Sequence, residues 1–365
     1  MAMLKTHWST SFQKLTNAHI KLSLTHLPPT SRRKVVVIGI LCSVLTWVSA
    51  CAPLVSPPGN PIQKATLVDK HFVMEDGIHL PFRVWAPDNK DIKAIIVALH
   101  GFNDYSNFFD APGQFLKTQG IVSYAYDQRG FGNTPNRGLW AGVDAYTGDL
   151  EQITRLIHKK HPKLPVYLIG ESMGGAVAMV AMNSDRPPNV DGIVFTAPAV
   201  WGRETMPWYQ RVVLSLSAHT FPWISVTGKG LNKKPSDNYE MLRALSQDPL
   251  VIKETRIDAV YGLANLMDQA LEKASRLQTT SLFLYGERDE IIPRNATRMM
   301  LQRLPEKRKT SHRVAIYKEG YHMLLRDLHA ETLWKDISAW INDSQMPLPS
   351  RADHHASELI AAHIL

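Results

Sequence analysis

Four residues, Val166-Tyr167-Leu168-Ile169, run straight into Gly170-Glu171-Ser172-Met173-Gly174-Gly175 and then into an Ala/Met/Val stretch. The first segment reads as a buried strand and the last as a helix. A serine in Gly-x-Ser-x-Gly at such a junction has the strand–turn–helix context of a nucleophile elbow. The turn is so tight that side chains two positions before and after the serine would collide, which gives Gly170 and Gly174 a steric role. It lifts the Ser172 hydroxyl clear of the sheet and sets it at a helix N-terminus. There, backbone N–H groups stabilise negative charge.

At 365 residues the chain is long enough for one large α/β domain with an insertion. A formal net charge of +8 invites a nucleic-acid partner, but its distribution argues against one. Six of the 41 basic residues and none of the 33 acidic ones fall in residues 1–51, so the remainder is near neutrality. The basicity belongs to the N-terminus and not to a binding face. Both cysteines, Cys42 and Cys51, lie there too. The body therefore has no disulfide, no thiolate nucleophile and no cysteine-ligated metal.

Residues 1–31 are polar and unpatterned, a leader of which no fold is expected. Ser31-Arg32-Arg33-Lys34 then precedes an apolar run from Val35 to Ala50. A basic cluster, a short apolar run and small residues before a cut site describe a secretory signal. The run ends Val48-Ser49-Ala50-Cys51, which resembles a bacterial lipobox, whose cysteine is lipidated and becomes the mature N-terminus. Residues 1–51 are thus expected to be a disordered leader plus a lipoprotein-type signal peptide. The expected location is the bacterial cell envelope, periplasmic side, with membrane attachment through Cys51. A retained transmembrane anchor is the alternative, although the run falls short of the roughly 20 residues that spanning needs. Residues 52–64, with Pro53, Pro57, Pro58 and Pro61, read as a stiff extended tether.

Strands and helices then alternate. Ala65–Val73 and His79–Trp85 flank Glu75-Asp76-Gly77 as a hairpin. Strands are predicted at Ile92–Leu99, Ile121–Tyr126, Val166–Ile169, Ile193–Thr196, Ser281–Tyr285 and Val314–Tyr317. Helices are predicted at Phe115–Gln119, Tyr146–Lys160, Asn295–Leu304 and Leu328–Ile341. The alternation breaks between Trp201 and Gln278, a tryptophan-rich stretch of helical patterns. This is an α/β fold with a mostly parallel central sheet flanked by helices. A mainly helical cap (201–278) is inserted between core segments 65–200 and 279–345, and 346–365 is expected to be a loose tail.

Functional residues in such sheets lie beyond the carboxyl ends of strands. His100, Ser172, Asp289 and His322 do so, and Ser172…Asp289…His322 is the order an α/β-hydrolase uses. A serine hydroxyl needs a base within hydrogen-bond reach. Of the 15 histidines, His322 follows the last predicted strand, with Gly320 letting the loop turn inward. His158 and His161 belong to a charged helix, His71 and His79 to the hairpin, and His354, His355 and His363 to the tail. Asp289, with Glu287 and Glu290 flanking it, follows the penultimate strand and suits the residue that orients the imidazole. The Met173 N–H is one oxyanion donor through the geometry of the elbow, and Phe102 is the candidate for the second. The His100 side chain is expected to hold that loop by hydrogen bonds. Asp127-Gln128-Arg129-Gly130-Phe131-Gly132 lacks the dinucleotide-binding glycine pattern and reads as a shaped loop bordering the site. Trp201, Trp208, Phe221 and Trp223 are expected to line an acyl channel under the cap.

Five motifs carry a resemblance from about Ala65 to Asp343: Leu99-His100-Gly101-Phe102, Tyr126-Asp127-Gln128-Arg129-Gly130-Phe131-Gly132, Gly170-Glu171-Ser172-Met173-Gly174-Gly175, Gly286-Glu287-Arg288-Asp289 and Gly320-Tyr321-His322. With them the chain resembles an α/β-hydrolase of the monoacylglycerol lipase and lysophospholipase branch, which is also described as similar to serine aminopeptidases. The resemblance implies Ser172 as nucleophile, Asp289 as acid, His322 as base, and the Phe102 and Met173 amides as oxyanion hole. The implied activity is hydrolysis of a monoacylglycerol or lysophospholipid ester through an acyl-enzyme, with no cofactor or metal. An aminopeptidase, an acyltransferase and a non-catalytic envelope lipoprotein are the alternatives.

Overall fold

The computed structural model describes residues 52–88, 91–230, 232–305 and 311–362; the leader, its signal-like run and Cys51 lie outside the described residues. Its strands are β1 (Thr66–Val68), β2 (His71–Val73), β3 (His79–Trp85), β4 (Ala94–Leu99), β5 (Ile121–Tyr126), β6 (Val166–Glu171), β7 (Gly192–Thr196), β8 (Ser225–Val226), β9 (Thr255–Arg256), β10 (Ser281–Gly286) and β11 (His312–Tyr317). Its α-helices are α1 (Asp110–Thr118), α2 (Val143–Lys160), α3 (Met173–Ala181), α4 (Trp208–Thr220), α5 (Tyr239–Gln247), α6 (Ile257–Lys273), α7 (Arg294–Arg303), α8 (Ala330–Asn342) and α9 (Ala352–Ala361).

The main sheet has the order β1-β2-β3-β5-β4-β6-β7-β10-β11. From β5 to β11 every pairing is parallel, and β1, β2 and β3 add an antiparallel edge. Each parallel strand is covered on both faces, which is why these runs are continuously apolar. In β4, Ile95, Val97 and Leu99 enter the layer built with α2, α3, α6 and α7, while Ala94, Ile96 and Ala98 enter the layer built with α1 and α8. The strand order reverses at β4, and the loops after β4, β6, β10 and β11 leave the same end of the sheet.

Three expectations change. The predicted strand Ala65–Val73 is two strands, β1 and β2, folded back antiparallel on each other. The turn between them is Asp69-Lys70, with Asp69 at φ 48, a conformation aspartate tolerates well enough to reverse a short strand. The tail expected to be loose contains α9, which packs on β11 with Ala356 buried and Arg313 paired to Asp353. Its buried residues are small alanines, Ala352 and Ala356, so the helix lacks the strong apolar stripe that marks an amphipathic helix in sequence. The Pro-rich tether has no regular structure, yet it is pinned to the body. The Ser56 N–H donates to the Trp140 carbonyl at 2.7 Å and the Ile62 N–H to the Glu75 carbonyl at 2.8 Å.

The inserted segment comprises α4, α5, α6 and the small antiparallel pair β8–β9. It is not a separate lid along its whole length. In α6, Leu266, Met267, Ala270 and Leu271 are buried in the same layer as α3, so the last helix of the insertion is part of the core. No helix among the described residues is long and apolar enough to cross a membrane.

Candidate active site

Ser172 is the sharp point between β6 and α3, with φ 51 and ψ −112. A non-glycine residue in that region is strained, and the neighbouring glycines make the strain possible. A Cβ on Gly170 would lie 2.6 Å from the Gly175 Cα, and one on Gly174 would strike the Leu99 carbonyl. The turn is held by the Ser172 N–H, which donates to the Thr196 carbonyl at 2.9 Å, and by the Ala199 N–H, which donates to the Ser172 carbonyl at 2.9 Å.

His322, in the loop after β11, brings Nε2 to 3.0 Å from Ser172 Oγ. On its other side Nδ1 is 2.9 Å from Asp289 Oδ2, in the loop after β10. Nδ1–H donates to the carboxylate, so Nε2 is free to accept the serine proton. Asp289 is itself fixed: Oδ1 accepts from the N–H groups of Ile291 at 2.7 Å and Ile292 at 3.0 Å. Its acidic neighbours are used elsewhere, Glu287 on His355 and Glu290 on the Lys234 N–H. Burial lowers the His322 pKa, but the charge and hydrogen bond of Asp289, with Glu171 and Asp327 further off, outweigh it and the net direction is upward. The imidazolium is therefore stabilised where it would form.

The loop after β4 presents Phe102 to the serine. A Cβ on Gly101 would be 3.5 Å from Ser172 Cβ, so the backbone passes directly over the nucleophile. His100 is fully buried; its Nε2 accepts the Gln128 N–H at 3.0 Å, and Nδ1–H donates to the Gly101 carbonyl at 2.7 Å. Burial pushes this imidazole below its usual pKa, and its role is to hold the loop. Met173 opens α3, and helix-opening N–H groups lack intrahelical partners. Phe102 follows Gly101, which packs against Ser172, and Met173 follows Ser172 itself, so these are the two backbone amides the chain carries next to the nucleophile.

The Asp127–Gly132 segment braces this loop. Asp127 accepts the N–H groups of Ser106 at 2.9 Å and Asn133 at 2.8 Å. Arg129 is buried between two carboxylates, with Nε 2.6 Å from Asp149 and Nη1 2.5 Å from Asp76. That ion-pair triad ties β5 to α2 and to the β2–β3 hairpin.

A mostly apolar cavity of about 400 Å³ reaches Ser172 and His322 and is lined by Phe102, Trp201, Met206, Leu214, Leu263 and Met267. Of the four aromatic residues expected to line it, only Trp201 does. Trp208, Phe221 and Trp223 face outward at 68, 55 and 55 % exposure. On α4 the inward positions are held by Leu214 and Ala218, and helical spacing turns Trp208, Tyr209, Val213 and Leu216 to the surface. The cavity's methionines and leucines went unpredicted because a single apolar residue on a cap helix looks the same whether it faces a cavity or the core. Asp104 and Glu171 also border the cavity, and neither they nor Arg326 stood out in the sequence.

A strained serine at a strand–helix turn, a histidine and an aspartate on neighbouring loops, and a mostly parallel sheet under an inserted cap define an α/β-hydrolase. Residues 90–329 match the family described as serine aminopeptidase, S33, and the chain belongs to that family. It is 26 % identical over 299 residues to the monoglyceride lipase of Rattus norvegicus, covering 80 % of this chain and 95 % of that one. It is 23 % identical to the monoacylglycerol lipase of Mycolicibacterium smegmatis, over 76 % of this chain and 98 % of the other. A soluble variant of monoglyceride lipase from Saccharomyces cerevisiae, solved in complex with a substrate analog, superposes with a TM-score of 0.62 at 17 % identity, covering 81 % and 99 % of the two chains. The protein is a hydrolase of this fold.

Proposed function

We propose that the protein is a serine esterase that cleaves acyl lipids of the monoacylglycerol or lysophospholipid type. The observation that carries this reading is the apolar cavity ending at the Ser172 hydroxyl. Each methylene it takes from water contributes about 0.8 kcal/mol, so an acyl chain supplies binding energy that a small soluble ester lacks. The names borne by the rat and mycobacterial relatives support the same substrate class.

In this reading Ser172 Oγ attacks the ester carbonyl while His322 Nε2 takes its proton. The oxyanion is held by the Phe102 and Met173 amides. His322 returns the proton to the leaving alcohol, then activates a water that releases the acid from Ser172. Asp289 keeps the imidazole in the required tautomer throughout.

The outward face of α4 and the following turn supports supply of substrate from a lipid aggregate. Trp208, Val213 and Leu216 on α4, and Phe221 and Trp223 just after it, are exposed apolar side chains around the helix whose Leu214 lines the cavity. Lipidation at Cys51 would hold the enzyme at the envelope membrane, close to such substrates. An aminopeptidase would need a free carboxylate for the substrate's amine, whereas Asp104 and Glu171 in this cavity are both engaged by Arg326.

The test is a panel of p-nitrophenyl esters, monoacylglycerols, lysophospholipids and aminoacyl amides, run with Ser172→Ala alongside. Long-chain esters and monoacylglycerols should be the best substrates. Ser172→Ala should lose fluorophosphonate labelling and on the order of 10⁴-fold or more in kcat. Preference for acetyl over decanoyl esters, or for aminoacyl amides, would remove the lipid reading.

A further inference from the structure

At the cavity that holds Ser172 and His322 lies a second charged cluster that the steps above do not use. Arg326 sits in the short 3₁₀ turn Leu324–Arg326 that follows His322. Its Nη2 is 2.7 Å from Asp104 Oδ2 and 2.8 Å from Glu171 Oε1, and the three side chains are only 8, 7 and 3 % exposed. The guanidinium carbon lies 5.9 Å from the centre of the Phe108 ring.

Each carboxylate belongs to a different part of the reaction site. Glu171 is the last residue of β6, immediately before Ser172. Asp104 closes the turn that presents Phe102: its N–H donates to the Gly101 carbonyl at 3.3 Å, and its Oδ1 accepts the Tyr105 N–H at 2.8 Å. Arg326 shares the base loop with His322. One cation therefore ties the oxyanion loop and the end of the nucleophile's strand to the loop that carries the base.

The cluster also carries net charge. Two carboxylates against one guanidinium leave one negative charge in excess at the cavity that His322 also borders; Glu171 directly precedes Ser172, whose Oγ is 3.0 Å from His322 Nε2. Other charged or titratable groups facing it are His100 and Asp327, with Asp127 facing His100 in turn. Burial pushes the Glu171 carboxyl above its usual range, and Arg326 opposes that shift. A buried ion cluster of this kind is costly to desolvate and is poor evidence of a merely stabilising role.

We propose that Arg326 is a positioning residue that holds the oxyanion loop and the Ser172 strand in register with the His322 loop, and that the Glu171 carboxylate it anchors supplies a second negative charge to the His322 imidazolium. The inference rests on the assignment of Ser172 as nucleophile.

Glu171→Gln keeps the shape of the site and leaves Arg326 paired with Asp104. On p-nitrophenyl butyrate its kcat should fall about five- to tenfold with KM unchanged. The acid limb of its pH–rate profile should move to lower pH, because the imidazolium has lost a stabilising charge. Arg326→Lys keeps the charge, but the shorter side chain cannot span both carboxylates or stack on Phe108. Its acid limb should stay in place, while its affinity for an alkyl boronic acid, a mimic of the tetrahedral state, falls more than KM rises. Should Glu171→Gln not fold, the Arg326→Lys comparison decides alone. A lower melting temperature with an unmoved limb and unchanged kcat in Glu171→Gln, or equal losses of boronic-acid affinity and KM in Arg326→Lys, would overturn the proposal. Fluorophosphonate labelling of the unmodified enzyme at a residue other than Ser172 would instead overturn the reading beneath it.

Discussion

His322 Nε2 stands 3.0 Å from Ser172 Oγ across 150 positions of the chain. The two meet because the loops after β6 and β11 leave the same end of the sheet, with β7 and β10 between them. A mostly parallel sheet collects strand-end residues in this way, whatever their separation in sequence.

The state of that histidine sets the pH dependence. Below its pKa the imidazole is protonated and cannot accept the serine proton, so kcat/KM should fall as pH drops. Its pKa is raised above the ordinary 6.5, chiefly by Asp289 acting against burial, so the acid limb should lie above that value. Asp289→Asn should shift the limb downward and cost about 10⁴-fold in kcat, because the tautomer is no longer held. A pH–rate profile on a soluble butyrate ester measures both. A limb below 6.5 in the unmodified enzyme would contradict the arrangement.

The division between inner and outer cap residues predicts a second contrast. Met267→Trp should fill the cavity and lower kcat/KM on decanoyl esters by about tenfold or more, with little change on acetyl esters. Trp208→Ala should leave soluble butyrate esters within about twofold, because its ring touches no part of the cavity. The same variant should be slower on emulsified monoacylglycerol. Loss on soluble esters equal to that on emulsions would place the Trp208 ring in the catalytic pocket.

Arg129 holds two buried carboxylates, Asp149 and Asp76, from different elements. Arg129→Met leaves both without a cation, which should cost about 3–5 kcal/mol of stability. Guanidinium titration of the variant, with Arg129→Met/Asp149→Asn beside it, checks this. The double variant should recover part of the loss, and a single variant as stable as the parent would mean that the triad contributes no net stability.

At the N-terminus, Cys51→Ser should release the protein from the membrane fraction and stop incorporation of labelled palmitate. The motive is Val48-Ser49-Ala50-Cys51 behind a basic, apolar leader. If the variant still pellets with membranes and resists carbonate extraction, Val35–Ala50 is a retained anchor.

The parallel strands were legible because their burial on both faces demands continuous apolar runs. Ile121–Tyr126 is the same span in sequence and structure. The triad candidates were legible because strand ends, turn glycines and chain order restrict where a serine, an acid and a base can stand. The outward aromatics of the cap were misread because side-chain type records hydrophobicity and not direction. Trp208 and Leu214 occupy one helix, and its rotation about its own axis exposes the larger ring and buries the smaller side chain.

Local sequence determined the sharp turn at Ser172, since only glycine at 170 lets the end of β6 lie so close to the start of α3, while Gly174 leaves room for the Leu99 backbone of β4. It also determined the alternation that makes a parallel sheet, because period and apolar run length are local properties. Only the tertiary structure decided that Asp104, Glu171 and Arg326 share one buried charge cluster, and that Leu214 and Met267 meet in one cavity. Those contacts join residues from separate loops and helices, and no local pattern encodes a distance that exists only once the sheet has brought their ends together.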